Sequence, residues 1–196
     1  MSGIGRRAFV AGAIASLALA GPALATYLTE DPGNVDVAEA YDADGFNHAW
    51  LSRDNFTGVV ILRANSVEFA SITCDDGSEG AIETDFNGSG TPASFSFGKN
   101  ESSAKATGTV NGTRTVSNSC TGAFDQVDDS RAMTLNLTGS KFTTTSTTKQ
   151  TVKDPDGTVR VSTHKETRAV ATGNFTIGTS TYGADSAWIT HEELAV

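Results

Sequence analysis

Short runs of β-branched and aromatic residues recur from Phe46 to Glu192, separated by Gly, Asn, Asp and Ser at intervals of about eight to twelve residues. That spacing is too short for helices or crossover connections and describes antiparallel strands wound into a sandwich or barrel. The runs predict strands over Phe46 to Arg53, Thr57 to Ala64, Val67 to Cys74, Ala81 to Phe86, Ala93 to Gly98, Ala104 to Val110 and Thr113 to Cys120. They continue over Arg131 to Thr138, Lys141 to Val152, Thr158 to Ala171, Asn174 to Gly178 and Ala187 to Glu192. Turns are expected at Ala64-Asn65-Ser66, Asn111-Gly112 and Asp154-Pro155-Asp156-Gly157, where Asn-Gly tolerates positive φ and Pro presets the first turn angle. The unbroken run Gly58-Val59-Val60-Ile61-Leu62 predicts a strand buried on both faces.

Lys141 to Arg168 differs from the rest. Its first arm carries Thr143-Thr144-Thr145-Ser146-Thr147-Thr148 and its second carries Val159, Val161 and Thr163, so it reads as a long Thr-rich hairpin projecting from the core or running along its edge. Six basic residues against three acidic ones give it a charge of about +3. The segment from Thr26 to Asp44 is its opposite, with Glu30, Asp31, Asp36, Glu39, Asp42 and Asp44 and no basic residue. Either the two pair within one molecule or stand as solvated faces, or the acidic arm adds a strand to a neighbour and the chain self-associates.

Met1 to Ala25 has the layout of an export signal: Arg6 and Arg7, an apolar stretch from Ala8 to Ala20, then Pro22 and Ala23-Leu24-Ala25. The apolar stretch is too short to span a hydrocarbon core, which takes about 20 helical residues. Arg6-Arg7 followed by Ala8-Phe9-Val10 resembles the twin-arginine consensus, and a general secretory signal is the alternative. Removing those two arginines from 14 basic residues, against 23 acidic ones, takes the net charge to about −11, which repels phosphate backbones and excludes nucleic acid as a natural partner. The two cysteines, Cys74 and Cys120, predict one disulfide in an oxidising compartment.

Candidate chemistry is sparse. Asn55, Asn87, Asn100, Asn111, Asn136 and Asn174 each begin an Asn-x-Ser/Thr sequence, the acceptor pattern for N-glycosylation. Asp42 with Asp44, and Asp154 with Asp156, are calcium candidates because Asp-x-Asp-Gly supplies two carboxylates and a carbonyl, although neither continues into a full calcium loop. His48, His164 and His191 lie far apart with no zinc-helix spacing. Ser102 and Lys105 have the Ser-x-x-Lys spacing of an acyl-enzyme nucleophile, but that pair needs a helix where the chain reads as a strand.

The sequence thus predicts an all-β chain: an antiparallel β-sandwich or partly closed β-barrel of about 8 to 12 short strands with a long Thr-rich hairpin. Residues 1–25 form the signal, 26–45 an acidic arm or edge strand, and 46–196 one β domain. The expected function is that of an exported, non-catalytic domain at the cell surface, in the periplasm or outside the cell, which binds or self-assembles. One alternative is a β-barrel carrier of a small apolar ligand lined by Trp50, Trp188, Phe95 and Phe97; another is a secreted hydrolase whose site does not show in sequence. No catalytic residue or cofactor is assigned, and no transmembrane segment is expected after residue 25.

Overall fold

The computed structural model describes residues 33–195 except 154, 156 and 158, so the signal, the start of the acidic arm and the calcium candidates Asp154 and Asp156 lie outside the described residues. The rest is antiparallel β-structure. Ten strands follow in order: β1 Gly33–Tyr41, β2 His48–Asp54, β3 Val60–Thr73, β4 Glu79–Gly90, β5 Pro92–Phe97, β6 Ser103–Asn118, β7 Phe124–Lys153, β8 Val159–Ile177, β9 Ser180–Gly183 and β10 Ser186–Ala195. A single 3-10 turn, Lys99–Glu101, joins β5 to β6.

The strands form a meander whose ends meet. Strands β1 to β4 and β6 to β9 each pair with the next in line, β4 and β5 both pair with β6, β9 and β10 share β8, and β10 pairs with β1 to complete a ring. One face of each strand therefore points into the ring. Leu51, Leu62, Phe86, Val110, Met133, Leu135, Leu137, Phe175, Ile177 and Ile189 fill it, and Ala38, Ala40, Ala49, Ala104, Ala106 and Ala187 line its narrower parts.

Several sequence expectations change for physical reasons. β1 has β10 on one edge and β2 on the other, so residues 33–41 form an interior strand rather than an arm or an edge. The strands are longer than expected: β7, with 30 residues, and β8, with 19, each run through two expected strands, and β3 and β6 run through two of the expected turns. β3 runs through Asn65 and Ser66, whose side chains point to opposite faces: Asn65 Nδ2 donates to the Phe46 carbonyl at 3.2 Å, and the buried Ser66 Oγ accepts from Arg131 Nη1 at 3.1 Å. β6 runs through Asn111-Gly112, where glycine serves close strand approach; a Cβ at Gly112 would lie 1.9 Å from the Asn87 carbonyl oxygen. At the third expected turn, β7 ends at Lys153 and β8 begins at Val159, with Pro155 in a turn between them. In the apolar run only Leu62 is fully buried and Val59 is 53% exposed, because a ring of antiparallel strands has one inward face.

Sequence neighbours also pair beyond the ring. The far halves of β3, β4, β6 and the start of β7 form a four-stranded extension, closed at its tip by the Cys74–Cys120 disulfide. At the opposite end β7 and β8 continue as the Thr-rich ribbon, pairing from Thr143 with Ala169 to Lys153 with Val159. No helix among the described residues is long and apolar enough to cross a membrane.

Candidate functional site

A feature of the seam strands inverts the usual pattern. In Val37-Ala38-Glu39-Ala40-Tyr41, His48-Ala49-Trp50 and Ala187-Trp188 the small residues point inward and the large ones outward. Because residues two apart share a face, one register row on the outer face runs Arg63, Trp50, Glu39, Trp188, Val170 across β3, β2, β1, β10 and β8. The Arg63 guanidinium lies over the Trp50 ring at 4.8 Å, and that of Arg168 over Trp188 at 4.0 Å. One step along the strands, Tyr41 stacks on His48 with ring centres 4.2 Å apart and meets Trp188 at 5.7 Å.

Of these residues Glu39, Tyr41, Arg168 and Trp188 wall an open groove of about 510 Å³ over β1, β10 and β8. The loop from Asp42 to Gly45 closes one end, while Glu166 and Glu192 stand at the other. Glu39 sits in the middle. Burial raises its pKa above the ordinary carboxylate value; Arg168 and the indole N–H groups of Trp188 and Trp50 offset part of the rise, and Glu192 adds to it. His48, behind Tyr41, is pushed down to about 4 by burial.

A second polar cluster lies on the inner side of the same seam. Asp36 Oδ2 accepts from Arg53 Nε at 2.9 Å and from Asn55 Nδ2 at 2.9 Å, and Asp36 Oδ1 is 2.7 Å from His191 Nδ1. Burial pushes the Asp36 pKa up, yet the hydrogen bonds from Asn55, His191 and Arg53 outweigh it and hold the carboxyl below its ordinary value. This cluster ties β1 to β2 and β10 and stands apart from the residues that line the groove.

The residues singled out from sequence fall in scattered places. Cys74 and Cys120 are bonded, and all six Asn-x-Ser/Thr asparagines are exposed. Asn136 and Asn174 face each other across β7 and β8, Asn111 accepts from Ser130 Oγ at 2.9 Å, and Asn55 is engaged with Asp36. Asp42 is committed to its own loop, taking hydrogen bonds from the Asn47 backbone at 3.1 Å and from the Asn47 amide, while Asp44 is exposed. Among the described residues no three His, Cys, Asp or Glu side chains converge as metal ligands. His164 pairs with Glu192 at 3.2 Å, and the basic hairpin's Lys165 with Glu193 at 3.3 Å, both partners on β10. Lys105 lies on strand β6, as Ser-x-x-Lys catalysis would not allow.

The four aromatic residues expected to line a cavity do not meet. Trp50 and Trp188 are on the outer face of the seam, whereas Phe97 of β5 packs against the filled core under Arg53. Sequence reasoning missed Glu39, Tyr41, Arg63 and Arg168. The alternation of Ala with Glu, Tyr and Trp was the available signal, since alanines facing a core leave the large residues outside. Comparison with family models, with curated proteins and with solved structures gives no match, so the chemistry of this groove is argued from its residues alone.

Proposed function

We propose that this chain is an exported, non-catalytic β domain that binds a carbohydrate without negative charge in the groove between Glu39, Tyr41 and Trp188. One observation carries the reading: a desolvated carboxylate set between two tryptophans on an open groove. A carboxylate whose burial outweighs its partners lowers stability at neutral pH, so its place among aromatic rings is best accounted for by a ligand. Aromatic faces meet the C–H faces of sugar rings, while carboxylate and guanidinium groups satisfy hydroxyls. Five groove carboxylates, Glu39, Asp42, Asp44, Glu166 and Glu192, against Arg168 disfavour anionic ligands. The disulfide is in keeping with an oxidising compartment. A filled ring interior gives the apolar-carrier reading no support.

The test is calorimetric titration with neutral, amino and uronic-acid oligosaccharides. Binding of neutral or amino sugars, lost in Trp188→Ala, supports the reading; binding of uronic acids alone, or binding indifferent to Trp188→Ala, refutes it. A second reading, glycoside hydrolysis, is favoured by Glu39, whose raised pKa suits a general acid, sharing the groove with Glu166 and Glu192. Release of reducing ends that stops in Glu39→Gln while binding persists would select it.

A further inference from the structure

The Thr-rich ribbon leaves backbone hydrogen-bonding groups without partners. β7 pairs with β6 only as far as Thr138, and beyond the irregularity between Gly139 and Thr143 its remaining eleven residues, Thr143 to Lys153, pair with β8 on one side only. Among the described residues no strand covers the other side. An unpaired edge of this length is a template for another strand unless it is blocked by charge, proline or irregular geometry.

Three other open edges are blocked. The start of β7 carries Asp125, Asp128 and Asp129, which repel a second copy of an acidic chain. The far half of β3 carries Glu68 and is occupied at its beginning by Asn47 Oδ1, which accepts from the Val67 N–H at 3.1 Å. β5 opens with Pro92 and an irregular register. Thr143 to Lys153 contains no proline and no carboxylate, and its only charges are Lys149 and Lys153.

We infer that this edge joins two copies of the chain, β7 to β7, in an antiparallel pair about a two-fold axis at Thr148. In that register Thr147 faces Lys149, Ser146 faces Gln150, Thr145 faces Thr151 and Thr143 faces Lys153 of the second copy. No like charges stand directly opposite, and hydroxyl pairs of this kind are favourable across strands. The contact is self-complementary, so it closes at two copies and does not propagate.

Sedimentation equilibrium of the purified chain over a concentration series tests this, with circular dichroism to confirm folding of each variant. The chain is expected to double in mass. Thr148→Asp places two carboxylates face to face at the axis, Thr148→Lys two ammonium groups, and each variant alone is expected to sediment as a monomer. An equimolar mixture of the two restores the dimer, since opposite charges then meet. A wild-type chain that stays monomeric overturns the inference, as does a dimer that persists in Thr148→Asp or a mixture that fails to reassociate. Sugar binding by a monomeric Thr148→Asp variant reports separately on the groove.

Discussion

His48 gives the sharpest measurable consequence of the seam's geometry. Its ring is stacked on Tyr41, and its Nε2 is buried with no hydrogen-bond partner among the described residues. Burial lowers its pKa from 6.5 to about 4, so the folded protein resists a proton that the unfolded chain accepts. Stability from this residue is complete above the unfolded pKa and is lost as pH falls from there through the folded value. Each pKa unit corresponds to about 1.4 kcal/mol, so the full loss is about 3 kcal/mol. Linkage places about 2 kcal/mol of it between about pH 7.5 and pH 5, above the range where most carboxylates titrate. Urea unfolding at those two pH values measures the difference, and His48→Phe, which keeps a ring against Tyr41 but cannot titrate, isolates it. The wild type is expected to lose about 2 kcal/mol more than His48→Phe over that interval. A His48 Cε1 proton resonance titrating near the ordinary imidazole value, or identical pH slopes in the two proteins, would refute the reasoning.

Three further outcomes follow from the same structure. Asp36→Asn leaves Arg53 without its counter-charge and His191 without its carboxylate partner and is expected to cost about 3 kcal/mol in urea unfolding at neutral pH. The Asp36 contribution is present above its unfolded pKa and is lost as pH falls through the lowered folded one, so the variant's deficit disappears in acid. Glu39→Gln acts in the opposite sense: with a raised folded pKa the charged carboxylate is a liability at neutral pH, so the variant is expected to unfold at higher urea while losing sugar binding. Replacing Cys74 and Cys120 together by Ala opens a loop spanning 46 residues and should lower stability by about 4 kcal/mol, read as a fall in Tm under non-reducing conditions.

What the sequence discloses is the local part of this fold. Strand composition fixes the all-β class, Pro155 and Gly157 mark the β7–β8 connection, and two cysteines leave one pairing. Asn65-Ser66 and Asn111-Gly112 mislead because turn residues also serve in strands: Ser66 takes a hydrogen bond from Arg131, and Gly112 lets β4 and β6 approach. Ring closure is not legible, since it joins residues such as Asp36 and His191 that are 155 positions apart, and no local preference records that encounter. The groove inherits the same obscurity. Its members come from β1, β8, β10 and the loop at Asp42, and they become neighbours only when the register of the closing strands is known. That register carries a double burden: a slip of one residue between β1 and β10 would turn Glu39 inward among the alanines and Ala38 outward.

The dimer and the groove together make a joint prediction. An antiparallel edge pair has its two-fold axis perpendicular to the sheet, so the outer faces of both copies lie on the same side of a continuous sheet running β1, β10, β8, β7 and back through the second copy. Two grooves then face one surface. A polysaccharide long enough to reach both would bind with the second contact made intramolecular, and such linkage raises apparent affinity by about 10² to 10⁴ when the geometry allows both contacts. A short oligosaccharide gains nothing from the second groove. Thr148→Asp should therefore weaken retention on the insoluble polymer at least tenfold while leaving calorimetric affinity for the short oligosaccharide unchanged, and Trp188→Ala should weaken both. Equal losses for polymer and oligosaccharide in Thr148→Asp would mean that the ribbon touches the ligand itself, and undiminished polymer binding would mean that the two grooves act independently.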